Sequence, residues 1–163
     1  FLNGTGLGQP TGLLNNNGAE VGVTAASAAA VTYDELVKLY FSLKAEYRSN
    51  AVFLMHDDTA MALRTMKDTV GNPLWNAERD TIFGKPVVTS LAMPTLAAGK
   101  KAIAFGDLSY YWIVERQPLT IKRLSELYIV QGQIGFRGFE RLDGKLIRPE
   151  AVKALSMDKK KKS

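Results

Sequence analysis

The residues best suited to chemistry are His56, Asp57 and Asp58, which place the only histidine of the chain beside two carboxylates. An imidazole and two carboxylates can hold a metal ion or exchange protons when their side chains converge. Neighbouring residues at a helix start point in different directions, however, and an aspartate there accepts hydrogen bonds as the N-cap. We therefore predict a helix start capped by Asp57 or Asp58, and no metal site.

Asp107 is the other carboxylate that could act in catalysis, and it ends the sequence Phe105-Gly106-Asp107. An aspartate after a glycine and before a short helical turn is most often a cap. The chain has no cysteine, no second histidine and no G-x-S-x-G sequence, so it offers no nucleophile–base pair. We expect a protein that is not an enzyme, with no catalytic residue and no cofactor.

The segment 1–17 is rich in glycine and asparagine, with glycines at positions 4, 6, 8 and 12. This spacing superficially suggests a phosphate-binding loop. The segment lacks the G-K-[ST] ending of a Walker loop, however, and no strand precedes it in the sequence. A turn is therefore the better interpretation, and a small nucleotide-binding enzyme remains a distant alternative.

Length and composition limit the class of protein. With 163 residues, 46% apolar and 23% charged, the chain suits one globular domain or two small lobes. The absence of cysteine excludes disulfides and thiolate metal sites. No apolar run approaches a membrane span, and no signal peptide is evident. Because residue 1 is Phe and not Met, we expect that it is not the natural start.

The positive charge is concentrated at the carboxyl end. The formal net charge is +5, but without residues 158–162 the chain has 17 basic and 15 acidic residues, a net charge of +2. A basic tail can make non-specific contacts with DNA. We predict that residues 158–163 are a disordered basic tail with, at most, this kind of contact.

The first half of the chain predicts a mixed arrangement of helices and strands. Residues 18–30 are small and featureless and predict a connecting loop. A T-x-x-E capping box at Thr32 and Glu35 starts a helix over 31–47, whose apolar residues recur every three or four positions. A buried strand over 51–55 and a second helix to about Lys67 follow.

The second half predicts mainly strands. Two predicted strands, at 85–91 and 101–105, form the centre around which the rest of the chain is arranged. Aromatic and β-branched residues predict further strands at 110–114 and 119–124. Asp143-Gly144 is a strong hairpin signal between 139–142 and 145–147. Residues 149–157 begin like a helix at Pro149, but we predict a strand.

The order of several short motifs closely resembles the carboxyl-terminal part of the major capsid protein of tailed bacteriophages. The motifs are F-L-N-G-x-G at residue 1, T-x-x-E at 32, G-K-P-V-V … M-P at 84–94, F-G-D at 105–107 and R-x-D-G … P-E-A at 141–151. Each is weak alone, but they are collinear with the family over nearly the whole chain. The resemblance implies the α+β fold called the Hong Kong 97 type.

The resemblance also implies a division of the chain. Residues 1–30 correspond to a peripheral-domain turn and connecting loop, 31–125 to the axial domain, and 126–157 to strands returning to the peripheral domain. The amino-terminal arm, the extended loop and most of the spine helix of the family precede residue 1. We therefore expect a fragment of a chain roughly twice as long.

The function implied by the resemblance is structural. Family members form pentamers and hexamers that tile an icosahedral shell around packaged double-stranded DNA, first in the host cytoplasm and then in the virion. The expected partners are copies of the chain, with portal, scaffold and protease proteins as further candidates, and no membrane. The sequence does not separate a phage from a prophage remnant, and an encapsulin-type nanocompartment shell is the alternative within the same fold.

The loop 71–81 is the predicted site of assembly contacts. It is rich in turn formers and carries an isolated tryptophan, a residue type that often anchors interfaces. In the family this position lies at the tip of the axial domain, near the symmetry axes. The predicted contact residues are Asn72, Pro73, Leu74, Trp75, Glu78 and Arg79. The alternative is that Trp75 folds back onto Phe83 and the sheet.

Overall fold

A seven-stranded mixed sheet forms the centre of the molecule. The structure, a computed structural model, describes residues 1–67, 71, 73, 75–76, 79–127 and 129–159. The strands are β1 (Glu20–Thr24), β2 (Val52–Met55), β3 (Trp75–Asn76), β4 (Thr81–Ile82), β5 (Lys85–Thr89), β6 (Lys101–Gly106), β7 (Tyr111–Leu124), β8 (Gly135–Leu146) and β9 (Val152–Ser156). The helices are α1 (Tyr33–Ser42), α2 (Ala45–Arg48) and α3 (Asp57–Arg64), with 3₁₀ turns at Leu108–Tyr110, Ile129–Gln131 and Pro149–Ala151.

The strand order in the large sheet is β1-β9-β6-β2-β5-β4-β3, whereas β7 and β8 form a separate antiparallel ribbon. The predicted strands at 51–55, 85–91 and 101–105 are confirmed. However, β5 and β6 are not neighbours, because β2 lies between them, parallel to β5 and antiparallel to β6. The short apolar sequence of β2 suits this position, since a central strand is covered on both faces.

Alternate residues of β2 enter two different hydrophobic clusters. Phe53 and Met55 pack on the face covered by α1 and α3, and Leu54 packs on the opposite face with Ala104 of β6. The Phe53 ring stacks on Phe105 with ring centroids 4.3 Å apart. Because successive side chains of a strand point to opposite faces of the sheet, β2 contributes to both hydrophobic clusters.

The start of α1 follows the predicted capping box. The Thr32 hydroxyl accepts a hydrogen bond from the Glu35 backbone N–H, and the Glu35 carboxylate accepts one from the Thr32 N–H at 2.8 Å. The same carboxylate accepts a second bond, from the Ala26 N–H at 2.7 Å. Glu35 therefore ties the preceding loop to the helix as well as closing the cap.

The predicted helix over 31–47 is two helices, since the backbone of Leu43 and Lys44 is extended. Arg48 of α2 turns back to the end of α1, where its guanidinium donates to the carbonyls of Leu43 at 2.7 Å and Phe41 at 3.1 Å. Because α1 ends at Ser42, no later residue of the helix donates a backbone N–H to these carbonyls. The break is therefore stabilised by a side chain that periodicity does not reveal.

Residues 18–30 contain a strand, and the prediction of a connecting loop for the whole segment was wrong. β1 runs parallel to β9 at the edge of the large sheet, and Lys153 pairs with Glu20 across the two strands. A Cβ at Gly22 would lie 2.4 Å from the Ser42 hydroxyl, so only glycine lets β1 pass this close to the end of α1. The strand exists because of its partners, and its own sequence carries little β signal.

Asp143-Gly144 is not a hairpin turn. Both residues lie inside β8, opposite Val114 and Ile113, and the chain reverses between β7 and β8 at residues 125–134. Gly144 is required by packing, because a Cβ there would lie 2.9 Å from the Phe1 ring. A dipeptide typical of turns is therefore used where the amino-terminal segment crosses the ribbon.

The carboxyl end agrees with the strand prediction and shortens the predicted tail. Pro149 opens a 3₁₀ turn, and β9 follows as the strand between β1 and β6. The backbone of Asp158 is still bonded, donating to the Ser27 carbonyl and accepting from the Gly99 N–H. The ordered contacts thus extend into the predicted 158–163 tail, whose residues 160–163 lie outside the described residues.

We expect Glu35 to make folding stability sensitive to acid. Burial raises the pKa of its carboxyl, but hydrogen bonds from Ala26 and Thr32 outweigh that effect, so the pKa is lowered from 4.5. A lowered native pKa contributes stability above pH 4.5 that is lost as the pH falls through the native value. Glu35→Gln should flatten this acid limb and cost about 1 kcal/mol at neutral pH.

Denaturant midpoints measured between neutral pH and pH 3 check this prediction. Glu46→Gln, at an exposed position of α2, is the matched control and should keep the acid limb of the unmodified chain. Parallel stability curves for Glu35→Gln and the unmodified chain would contradict the assignment.

Candidate functional site

His56 is the N-cap of α3. Its Nδ1 accepts a hydrogen bond from the Asp58 backbone N–H at 3.1 Å, so the predicted cap by Asp57 or Asp58 is corrected. Neutral imidazole can take this role because its unprotonated nitrogen is an acceptor. Asp57 and Asp58 occupy the first helical turn, where negative charge is favoured by the helix dipole.

The three side chains do not converge around a common point. Asp57 and Asp58 are exposed, and Nδ1 of His56 is turned to the helix backbone and lies 3.4 Å from one Asp58 oxygen. Among the described residues, no three histidine or carboxylate side chains come together in a way that could hold a metal ion. The geometry is that of a helix start.

Asp107 is a cap, as predicted. Its Oδ1 accepts from the Ser109 backbone N–H at 2.9 Å at the start of the 3₁₀ turn, and its own N–H donates to the Ala151 carbonyl at 3.1 Å. The residue is buried. Asp107 therefore connects the end of β6 to the turn that leads into β9.

The glycine-rich segment 1–17 folds back on itself beside the sheet. The Leu13 and Leu14 N–H groups donate to the carbonyls of Phe1 and Leu2, and Leu13 is buried against Leu54 and its neighbours. The N–H groups of residues 11–15 are thus bonded within the fold, and the arrangement is a structural turn, in agreement with the sequence.

Lys101 was not anticipated from the sequence. Its Nζ donates to the carbonyls of Asn15 at 3.0 Å and Ala19 at 2.8 Å, which fastens the amino-terminal turn to β6. Burial lowers the pKa of Lys101, since an ammonium is less well solvated there. A lysine at the start of a strand gives no sign in the sequence that it will bind remote carbonyls.

Trp75 is buried in the chain, contrary to the exposed position that we expected. It is 5% exposed, pairs with Ile82 between β3 and β4, and belongs to the core on the helix side of the sheet. Its indole N–H donates to Asp80 at 3.2 Å, and the Arg64 guanidinium lies 4.8 Å above its ring and binds the same carboxylate. Arg64 of α3 supplies a cation over the Trp75 ring, and Asp80 supplies an acceptor for its N–H group. The local sequence does not reveal either contact.

The other predicted contact residues of the loop remain open as assembly contacts. Pro73 and Arg79 are exposed. Asn72, Leu74 and Glu78 lie outside the described residues. Their role in assembly stays a prediction, and Trp75 is in position to support the loop from the core.

The predicted strands at 110–114 and 119–124 are one strand, β7, and sequence reasoning missed its pairing with β8 in a long ribbon. The two strands have 14 and 12 residues, and an isolated two-stranded ribbon is marginally stable in water. Large apolar side chains are nevertheless exposed along it: Trp112, Ile113, Val114, Leu119, Ile121 and Phe136. Exposed apolar surface of this extent is typical of a protein–protein contact.

The molecule combines a sheet covered by two helices on one face, carboxylates that cap helices and turns, and an exposed apolar ribbon. These features suit a protein whose surface contacts other proteins. The phage capsid family matches residues 1–157, which is nearly the whole chain. The chain belongs to this family. Among the described residues, no helix combines the length and the apolar character needed to cross a bilayer.

Solved structures agree with this assignment. The capsid chain of an empty GTA particle, computed with C5 symmetry, is 32% identical with a TM-score of 0.84, over 97% of this chain and 60% of that one. The capsid chain of the native GTA particle gives the same identity and TM-score, with 59% of it covered. The chain thus spans about three fifths of the length of these relatives.

More distant structures share the fold alone. A chain from Mycobacterium phage Bobi has a TM-score of 0.54 at 21% identity, over 83% of this chain and 50% of that one. Gordonia phage Cozz gives 0.57 at 13% identity, over 87% and 50%. No protein with curated annotation matches the sequence. The predicted α+β fold of the Hong Kong 97 type is confirmed.

We expect Asp107 to contribute to stability through its cap. Asp107→Ala should lower the free energy of unfolding by about 1 kcal/mol, whereas Asp107→Asn should lose less because asparagine is also a good cap. Urea denaturation of the two variants measures this difference. Equal losses in both variants would show that the carboxylate acts through its charge and not through the cap.

We expect Trp75 to behave as a core residue. Trp75→Ser should destabilise the chain by about 3–5 kcal/mol, the usual cost of removing a large buried aromatic side chain. Trp112→Ser removes the other tryptophan, which is exposed on the ribbon, and should change stability by no more than about 0.5 kcal/mol. Thermal denaturation compares the pair, and similar losses for both would contradict the burial of Trp75.

Proposed function

We propose that the chain is part of a shell subunit of a phage or prophage head, which assembles into pentamers and hexamers of an icosahedral shell around packaged double-stranded DNA. The observation that carries this proposal is the match to the GTA capsid chain, with a TM-score of 0.84 over 97% of this chain. That relative is described as a capsid with C5 symmetry, so copies of a similar chain are arranged around a fivefold axis.

The mechanism is contact area repeated by symmetry. A closed shell needs a subunit that keeps its shape and offers different surfaces to its neighbours, since head-to-tail contacts form rings when the rotation between copies closes. Each contact can be modest, because every subunit makes several of them at once. The ribbon, with its exposed apolar side chains, is a surface suited to such contacts.

The same family assignment supports domain roles for the segments. We assign residues 31–125 to the axial domain, with 1–30 and 126–157 connecting it to the peripheral domain and 158–163 as a basic tail. β1 and β9 belong to these flanking segments but lie in the same sheet as β2 and β6. On this assignment the two domains share one continuous sheet through β1 and β9.

The loop 71–81 remains our candidate for contact near the five- and sixfold axes. Pro73 and Arg79 are exposed and available to a neighbour, and Arg79 can set the register of a ring by pairing with an acidic partner. Trp75, bound to Asp80 and covered by Arg64, holds the base of the loop. We assign Trp75 a supporting role and the exposed residues the contact.

The proposed shell implies which molecules the chain contacts. Copies of the chain come first, with portal, scaffold and protease proteins as candidates during assembly in the host cytoplasm, and the virion as the final location. Contact with DNA is at most non-specific and electrostatic. The role is structural. The Asp107 carboxylate accepts a hydrogen bond from the backbone at the start of a turn, and Nδ1 of His56 accepts one from the Asp58 backbone N–H at the start of α3.

A chimera tests the proposal. Residues 1–163 replace the equivalent part of the GTA capsid chain, which supplies the remaining two fifths of the length. We expect closed particles in negative-stain micrographs and fast-sedimenting species, whereas the 163-residue chain alone should form only small oligomers. A chimera that folds, by circular dichroism, yet sediments as a monomer would contradict the proposal.

The contents of the particles separate the two kinds of shell. Nuclease-protected DNA in particles from producing cells agrees with a phage head. Particles filled with a protein cargo and no protected DNA would instead favour the encapsulin-type nanocompartment.

A further inference from the structure

An aromatic groove lies between α1 and the turn that joins β4 to β5. It has a volume of 290 Å³ and is lined by Tyr33, Val37, Tyr40, Phe41 and Phe83. The rings meet edge to face, with centroids 5.2 Å apart for Tyr40–Phe41 and 5.8 Å for Tyr40–Phe83. Phe41 is 64% exposed, so the groove opens to solvent with one aromatic wall uncovered.

The groove has a predominantly basic border. The Arg48 guanidinium lies 5.1 Å from the Phe41 ring centroid, and exposed Lys38 lies three residues before Phe41 on α1. Residues three apart are neighbours on a helix surface. Asp34 is the acidic residue on this side of α1, one turn before Lys38. The combination of aromatic floor and basic border suits an apolar side chain accompanied by carboxylates.

The surface of α3 has the complementary character. Met61 is 67% exposed, and exposed Asp57 and Asp58 lie four and three residues before it on the same side of the helix. Arg64, three residues after Met61, is already paired with Asp80. The outer face of α3 therefore presents one flexible apolar side chain beside two carboxylates.

The two surfaces lie toward different ends of β5. Both helices contribute to the core on one face of the sheet. The groove includes Phe83, which precedes the first residue of β5, whereas the outer side of α3 borders Val87 and Thr89 near the other end of this strand. The two surfaces of one copy therefore face away from each other along β5, and neighbouring copies can bring them together.

We propose that Met61 of one copy enters the aromatic groove of the next copy, with Asp57 and Asp58 facing the basic border of Lys38 and Arg48. A thioether packs favourably against aromatic rings, and the opposite charges set the orientation. Because the two surfaces differ, the contact is head-to-tail, the kind of contact that forms a ring when the rotation between copies closes. This inference rests on the proposed function and specifies the surfaces that join neighbours within a pentamer or hexamer.

A second copy is the favoured occupant because the complementary surface is present on the chain itself. The acidic residues beside Met61 match the basic residues beside Phe41. An isologous contact would instead place the basic border of one groove against the same border of its partner, and like charges in that arrangement repel.

Cysteine cross-linking tests the contact, since the chain has no cysteine of its own. Ala45→Cys marks the groove side and Ala62→Cys marks the α3 side, both at exposed positions. The two 163-residue chains are mixed at high concentration and treated with a short bismaleimide. We expect a covalent dimer from the mixture, and much less from either chain alone.

Second substitutions show whether the contact residues are responsible. Adding Met61→Ser to the Ala62→Cys chain, or Phe41→Ser to the Ala45→Cys chain, should lower the dimer yield about tenfold, the effect of losing about 1.4 kcal/mol of binding free energy. Leu91→Ser, which removes an 82% exposed leucine elsewhere, is the control and should not change the yield. Lys38→Glu should lower the yield, and Asp57→Lys in the partner chain should restore it.

The outcomes separate this inference from the proposed function. If sedimentation shows that the unmodified chain self-associates but the yield is insensitive to Met61→Ser and Phe41→Ser, the contact is overturned and shell assembly stands. If the chain stays monomeric and no mixture cross-links, the contact is overturned as well. In that case the chimera decides separately whether the chain builds shells.

Discussion

The central strand β2 is the constraint on which the rest of the structure depends. It is hydrogen-bonded to β5 on one side and β6 on the other, and its side chains enter both hydrophobic clusters. Phe53 stacked on Phe105 joins the two strands beneath α1 and α3. Burying such a side chain contributes about 1.5–3 kcal/mol, so this short strand holds two layers and three strands in register.

The interior of the molecule and its surface use charged and apolar side chains differently. Inside, carboxylates are used to close helix starts and turns, as Glu35 and Asp107 do, and the rings are stacked in the core. Outside, apolar side chains of the ribbon, α1 and α3 are exposed. The proposed function accounts for this contrast, because exposed apolar surfaces of a shell subunit become buried when it contacts its neighbours.

Three of the predictions that failed share one cause. Asp143-Gly144 has the composition of a turn, but pairing with Val114 and Ile113 of β7 places it within a strand. Trp75 has the surroundings of an exposed loop, but Arg64 and Asp80 hold it against the core. Residues 18–30 lack a strand pattern, but β9 supplies a partner for β1. In each case a remote segment overrode a local preference.

The sequence by itself determined what depends on near neighbours and on motif order. It specified the α1 capping box, the buried strand β2, the cap at Asp107 and, through collinear motifs, the capsid family. Tertiary structure alone decided the strand order, the parallel pairing of β1 with β9, the attachment of Lys101 and the burial of Trp75. The physical reason is the separation in sequence of the residues that interact. Caps and periodicity act within a few residues, whereas Glu20 and Lys153 are 133 positions apart and only the folded chain brings them together.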